Sequence, residues 1–195
     1  MTETEIKIQW AGEAQRAREL IEHRGYREIE SRTLEDDQLF DRASSELRQS
    51  DQILRLRQTS SPAGAVLSAV ITYKGPANRE RYKSREEIEF EVSDASAFSV
   101  VLDRLGYRPT FRYQKLRTKF AISGEPGIVT IDETPVGIYL ELEGPKDWID
   151  GTAARLGFGP DRYLTASYAS IYQEFRLQHR DAPADMIFSA GFERT

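Results

Sequence analysis

The chain contains no cysteine, which excludes disulfides, thiolate zinc sites and cysteine nucleophiles. Imidazole is nearly absent as well: His23 and His179 are the only two histidines, so any catalytic metal has to rely on carboxylate ligands. No apolar stretch approaches the ~20 residues that span a bilayer, and no basic-then-apolar leader opens the sequence. A cytoplasmic location with no membrane partner is the expectation. Positive charge is not in excess, since 27 Lys and Arg against 32 Asp and Glu leave a net charge of −5. That argues against a nucleic-acid partner. The sequence has no Walker-type glycine loop and no Ser/His/Asp arrangement.

What is present is charge in an unusual place. The chain has 195 residues, 39% of them hydrophobic and 30% charged, enough for one domain with a good core, with room for two related halves. Glu3, Glu5 and Lys7 stand at every second position of the first predicted strand, opposite Ile6, Ile8 and Trp10. Buried, such a row needs ions or counter-charges. The alternation returns in Gln52-Ile53-Leu54-Arg55-Leu56-Arg57, in Arg85-x-Glu87-x-Glu89-x-Glu91 opposite Ile88 and Phe90, in Tyr113, Lys115, Arg117 and Lys119 opposite Leu116 and Phe120, and in Tyr139, Glu141 and Glu143 opposite Leu140 and Leu142.

The pattern predicts strands over residues 26–33, 39–41, 52–58, 66–74, 85–92, 111–122, 128–133 and 138–143, with turns at 124–127 and 134–137. Helices are predicted over 12–23, after an N-cap at Ser93, from Pro145 to Gly157 and over 164–177. A recurrence organises them. Glu3-x-Glu5, Glu89-x-Glu91 and Glu141-x-Glu143 each precede a helix, a glycine stop and an aromatic: Gly25-Tyr26, Gly106-Tyr107 and Gly157-Phe158. This reads as an α+β, internally pseudo-symmetric antiparallel sheet. If the sheet is curved or closed with helices outside, the charged faces converge on its interior.

A lone Glu-x-Glu is usually a solvated face, and Arg55 and Arg57 could be exposed sheet charges. Charge in phase on so many strands is harder to explain that way. Glu3, Glu5, Glu87, Glu89, Asp132, Glu141 and Glu143 suit a hard divalent cation such as Mg²⁺ or Mn²⁺. Lys7, Arg55, Arg57, Lys74, Arg85, Lys115, Arg117 and Lys119 suit a polyanion. A substrate with contiguous phosphates and a metal would satisfy both sets. His23, at a helix C-terminus, has a dipole role, and Tyr168 and Tyr172, four apart on the last helix, read as packing residues and not catalytic phenols.

Glu3-x-Glu5-x-Lys7, Leu54-Arg55-Leu56-Arg57, Tyr73-Lys74-Gly75-Pro76, Arg85-x-Glu87-x-Glu89, Lys115-Leu116-Arg117 and the run from Asp132 to Gly144 occur in this order along the chain. Together they resemble the CYTH superfamily of triphosphate tunnel metalloenzymes, in particular its class IV adenylyl cyclase-like branch. The resemblance implies a single CYTH domain over residues 1–178 with a tail over 179–195, folded as an eight-stranded antiparallel β-barrel tunnel with helices packed outside. It implies that Glu3, Glu5, Glu141 and Glu143 hold the metal, with Glu87, Glu89 and Asp132 as further ligands or supporting groups. Lys7, Arg55, Arg57, Lys74, Arg85, Lys115 and Arg117 would clamp a small-molecule triphosphate, and Glu3, Glu5 and Lys7 would serve catalysis. ATP conversion to cyclic AMP and pyrophosphate is the first reaction it implies. Hydrolysis of inorganic or thiamine triphosphate is the alternative, a non-catalytic polyphosphate or nucleotide-binding module the lesser one, and a homodimer stays open.

Overall fold

Strands with one charged and one apolar side can cover the apolar side with helices and gather the charged sides by closing on themselves. The computed structural model describes residues 2–189, and its strands are β1 (Thr2–Trp10), β2 (Arg27–Asp41), β3 (Ile53–Ser60), β4 (Val66–Lys74), β5 (Asn78–Arg79), β6 (Lys83–Glu91), β7 (Arg108–Ala121), β8 (Ile128–Thr134) and β9 (Gly137–Glu143). The helices are α1 (Ala14–His23), α2 (Glu46–Gln49), α3 (Ala95–Arg104), α4 (Lys146–Arg155) and α5 (Tyr168–Gln178). Strands follow the order β1-β9-β8-β7-β2-β3-β4-β6, and β6 returns to β1 with Glu3 opposite Arg85 and Glu5 opposite Lys83. The result is the eight-stranded antiparallel barrel, with β5 appended to β6.

The apolar sides turn outward onto helices. Ile6, Ile8, Phe120, Val129, Leu140 and Leu142 pack under α1 and α4 through Ile21, Ile149 and Ala153. A second cluster joins Phe40, Leu56 and Ile71 to Leu102 of α3. The recurrence in the sequence is a recurrence of helix ends: Gly25, Gly106 and Gly157 adopt φ of 92°, 87° and 88°. In each case the next residue donates its N–H back into the last turn, Tyr26 to Ile21, Tyr107 to Leu102 and Phe158 to Ala153. These are Schellman closures, for which glycine is the residue without a Cβ penalty.

Several boundaries differ from expectation for local reasons. Residues 26–33 and 39–41 belong to one long strand, β2, which continues through Glu35, Asp36 and Asp37 and is bent by register shifts near Glu28, Glu30 and Leu39. No strand is predicted over these three consecutive acids, but alternate ones, Glu35 and Asp37, find cations inside the barrel. Asp94 and not Ser93 caps α3, accepting from Ala97 N–H at 2.9 Å. The final helix begins at Tyr168, because Leu164 is held to β1 by two backbone bonds with Lys7, 2.9 and 2.8 Å. The outer face of β6 does not pack on a helix: Ile88 and Phe90 are 52% and 57% exposed, since α3 lies over β2, β3 and β4. Of the expected tail, residues 190–195 lie outside the described residues, whereas Met186 is fully buried and bridges Tyr113 through backbone bonds to Arg112 and Gln114.

Leu140→Ala, in the fully buried cluster beneath α1 and α4, is expected to destabilise the protein by about 2–5 kcal/mol. Phe90→Ser, on the uncovered face, should stay within about 0.5 kcal/mol. Urea denaturation midpoints of the two variants check the contrast.

Candidate active site

The barrel encloses a cavity of about 1060 Å³. Every residue expected at the site lines it except Asp132. Period-two alternation accounts for this placement: Glu3, Glu5 and Lys7 project inward from β1, Glu141 and Glu143 from β9, Lys115, Arg117 and Lys119 from β7, Arg55 and Arg57 from β3, Lys74 from β4, and Arg85, Glu87 and Glu89 from β6.

Behind the cations on one wall lies a layer of acids. Asp132, Asp37 and Glu35 are 0–3% exposed and do not reach the cavity. Asp132 accepts from Lys115 Nζ at 2.9 Å, from Arg117 Nε at 2.6 Å and from the Tyr168 hydroxyl at 2.6 Å. Its oxygens are thereby saturated with donors, an arrangement that corresponds to the supporting one of the two roles expected for it. Arg57 contacts Glu35 at 3.0 Å and Asp37 at 2.9 Å, Arg55 approaches Asp37 at 3.4 Å, and Lys115 approaches Glu35 at 3.2 Å. Burial favours the neutral acid at Glu35, but Arg57 and Lys115 prevail and hold its carboxyl well below the usual range.

Lys7 stands between Glu5 and Glu141, at 3.1 and 2.9 Å. Burial opposes its charge, yet Glu141 and Glu5 raise its pKa above the ordinary lysine value, so it stays an ammonium. Glu141 also meets Arg117, and Glu5 also meets Lys83. Both carboxyls are depressed by these cations in spite of their burial. Lys74 bridges Glu3 at 2.8 Å and Glu87 at 2.9 Å. At the rim, Lys119 pairs with Glu30 at 2.9 Å, and half-exposed Glu89 accepts from Thr72 at 2.9 Å. Arg85 is placed differently from a free clamp: it donates to the Gly75 and Asp51 carbonyls, both at 2.7 Å, and its Nη1 has no hydrogen-bond partner. It fastens the Gly75 turn while keeping one buried donor available.

The opposite corner has surplus acid. Glu143 faces Glu5 in register and forms no ion pair with the described residues. Burial, then the nearby charges of Glu3, Glu141 and Glu5, push its carboxyl up to about 7. Glu3 is raised as well, by burial and by its hydrogen bond with Glu87. Among the described residues no three acidic or histidine side chains are gathered into a ready-made cage. The donor set nevertheless fits a hard divalent ion: it is all oxygen, and Glu143 forms no ion pair among the described residues. Ions of this kind commonly take their remaining ligands from water and substrate phosphate.

Sequence reasoning missed Glu35, Asp37, Lys83 and the hydroxyl of Tyr168. Lys83 continues the phase of Arg85, Glu87 and Glu89 two residues earlier. Glu35 and Asp37 keep the phase of Thr33 once β2 is continuous. The helical spacing around Tyr168 gave no sign of its hydroxyl's partner, because Asp132 is 36 residues away. It packs, as expected, but it also lines the cavity. Its cluster with Tyr113, Tyr139, Tyr172 and Met186 covers the barrel end where β7 and β9 begin. The other end is bordered by Thr2, Lys119, Pro126, Ile128, Gly144 and Pro145.

The CYTH domain family matches this chain over residues 1–150. A protein of Methanocaldococcus jannaschii, provisionally named an adenylate cyclase, is 27% identical over 144 residues, covering 73% of this chain and 77% of its own. A structure from Vibrio parahaemolyticus, also provisionally named an adenylate cyclase, superposes with a TM-score of 0.74 at 17% identity, covering 89% of this chain and 98% of its own. One from Hippeastrum, described as a cyclase candidate with a dominant triphosphatase activity, has a TM-score of 0.63 at 16% identity and covers 89% and 96%. The two structural likenesses show a shared fold.

The raised Glu143 carboxyl predicts a pH signature. The folded chain keeps that proton up to about pH 7, whereas a free glutamate releases it near 4.5. Between those values the folded state binds more protons, so this group's contribution to stability falls as pH rises. In metal-free buffer, the melting temperature of Glu143→Gln minus that of the unaltered protein should therefore increase from pH 4.5 to pH 7. A difference that stays flat across this window would sink the assignment.

Proposed function

The chain belongs to the CYTH domain family, and on that premise we propose that it is a divalent-metal-dependent phosphoryl-transfer enzyme acting on a small-molecule triphosphate held in the barrel. The observation that carries this reading is a single cavity lined by both charge signs, with Lys7, Arg55, Arg57, Lys74, Lys115 and Arg117 all facing it. These cations bind and orient the phosphate chain, the arginines through forked donors and the lysines as point charges. Glu35, Asp37 and Asp132, placed behind Arg55, Arg57, Lys115 and Arg117, fix the directions of these four before substrate arrives, the preorganisation on which such catalysis depends. Lys83 and Lys7 hold Glu5 ionised at the acid-rich corner. Glu3, Glu5, Glu141 and Glu143 would hold Mg²⁺ or Mn²⁺, with Glu87 and Glu89 nearer the rim. When bound, such an ion neutralises phosphate oxygens and activates an oxygen nucleophile.

Two reactions use the same clamp. In a class IV adenylyl cyclase-like reaction the ribose 3′-hydroxyl attacks the α-phosphorus of ATP and pyrophosphate leaves. In triphosphate hydrolysis, water attacks the terminal phosphorus. The names of relatives support the first. One feature of the cavity supports the second: among the described residues its only aromatic linings are Tyr113 and Tyr168, which pack on each other at the covered end. The open rim thus offers no ring for an adenine or thiamine to stack on.

Incubation with ATP, inorganic triphosphate or thiamine triphosphate plus Mg²⁺ or Mn²⁺, with products resolved, tests the reading. Cyclic AMP with pyrophosphate identifies the cyclase, orthophosphate the triphosphatase, and no turnover of any of the three defeats the proposal. Glu143→Gln is expected to lower metal-dependent turnover by about 100-fold with the fold intact, because no ion pair is broken. Arg57→Lys, which keeps the charge and loses the fork, should raise KM for triphosphate about tenfold. An unchanged KM in steady-state kinetics would remove Arg57 from the clamp.

A further inference from the structure

The phosphoryl-transfer reading leaves the buried hydroxyl of Tyr168 without a task. Packing alone does not call for it, since phenylalanine would fill the same aromatic cluster. We propose that Tyr168 is a positioning residue of the tunnel, whose hydroxyl engages Asp132 and whose ring lies against Lys7 and Lys115, keeping one N–H of each lysine directed at a phosphate chain. This deepens the triphosphate reading and rests on it.

The placement of Tyr168 is fixed from several sides. Leu164, four residues before it, forms a two-bond ladder with Lys7 itself. Ser167 caps the helix that Tyr168 begins, accepting from Ser170 N–H at 3.1 Å. Tyr139 meets the ring edge-on at 5.6 Å between centroids, and Tyr113 lies 6.1 Å away. The ring is thus built into the wall next to Lys7 and is only 5% exposed.

Its two contacts bear on the same pair of amines. Lys7 Nζ lies 5.2 Å and Lys115 Nζ 5.1 Å from the ring centroid, within cation–π range. The hydroxyl donates to Asp132 Oδ2 at 2.6 Å, the oxygen that also accepts from Lys115 at 2.9 Å. An ammonium has three donors. Lys115 directs one of them to Asp132 and lies 3.2 Å from Glu35, and Lys7 directs one to Glu5 and lies 2.9 Å from Glu141. One N–H of each remains uncommitted to carboxylate. By occupying Asp132 Oδ2, the tyrosine hydroxyl limits how much of Lys115 that carboxylate can claim. Without it, Asp132 turns further toward Lys115 and competes with the incoming phosphate.

Tyr168→Phe retains the ring and removes the donor, whereas Tyr168→Leu removes both. Calorimetric titration with inorganic triphosphate in metal-free buffer should show about tenfold weaker binding for Tyr168→Phe, the effect of one charge-assisted hydrogen bond, and weaker binding again for Tyr168→Leu. Side-chain ammonium NMR of the free protein supplies a readout that a merely packing role would not move: the Lys115 resonance should shift in Tyr168→Phe, and the Lys7 resonance chiefly in Tyr168→Leu. Binding of Tyr168→Phe within twofold of the unaltered protein, or an unmoved Lys115 resonance, overturns the proposal. If the unaltered protein fails to bind triphosphate, the functional reading falls instead, and the Lys115 resonance alone decides the role of Tyr168.

Discussion

A buried charge persists only beside its opposite, and in this barrel that constraint governs everything inside the sheet. Asp132, Asp37 and Glu35 have almost no exposure, yet each sits within contact distance of a lysine or arginine from another strand. A lone buried carboxylate costs several kcal/mol, and the loss is offset only by close, hydrogen-bonded partners. Closure of β6 onto β1 is therefore electrostatic as well as geometric, since it brings Arg85 opposite Glu3 and Lys83 opposite Glu5.

The neutralisation is uneven, and the unevenness is what gives the cavity chemistry. Along one wall the acids lie behind the cations and hold them in fixed directions, so an anion entering the cavity would meet donors already oriented. At the β1–β9 corner the pairing is incomplete, and Glu143, without an ion pair among the described residues, shares a crowded region with Glu3, Glu5 and Glu141. The first arrangement is complementary to an anion and the second to a cation. A metal-bound phosphate chain presents both.

The division explains why residues of one chemical type do different work. Asp132 and Glu143 are both carboxylates on neighbouring strands, but Asp132 is saturated by Lys115, Arg117 and Tyr168 while Glu143 has no ion-pair partner among the described residues. Arg57 and Arg85 differ in the same way: one is forked onto Asp37, the other onto the carbonyls that shape the Gly75 turn. Side-chain identity does not separate these roles, whereas the register of the neighbouring strand does.

Much of the architecture was legible because it is local. Period-two alternation assigns Glu3, Glu5, Lys7, Arg55, Arg57, Lys115, Arg117, Glu141 and Glu143 to a common face, and glycine after each of three helices marks closures that the φ angles at Gly25, Gly106 and Gly157 display. The sequence by itself therefore determined which residues face inward, since alternation depends only on the pleat of a single strand. It failed at Glu35 and Asp37, where consecutive acids obscured the strand, and at Tyr168, whose partner comes from β8. Only the tertiary structure decided which acid neutralises which cation, which carboxylate has no ion pair among the described residues, and what covers one end of the barrel. Those outcomes depend on distances between strands far apart in the chain, and such distances are fixed only when the sheet closes.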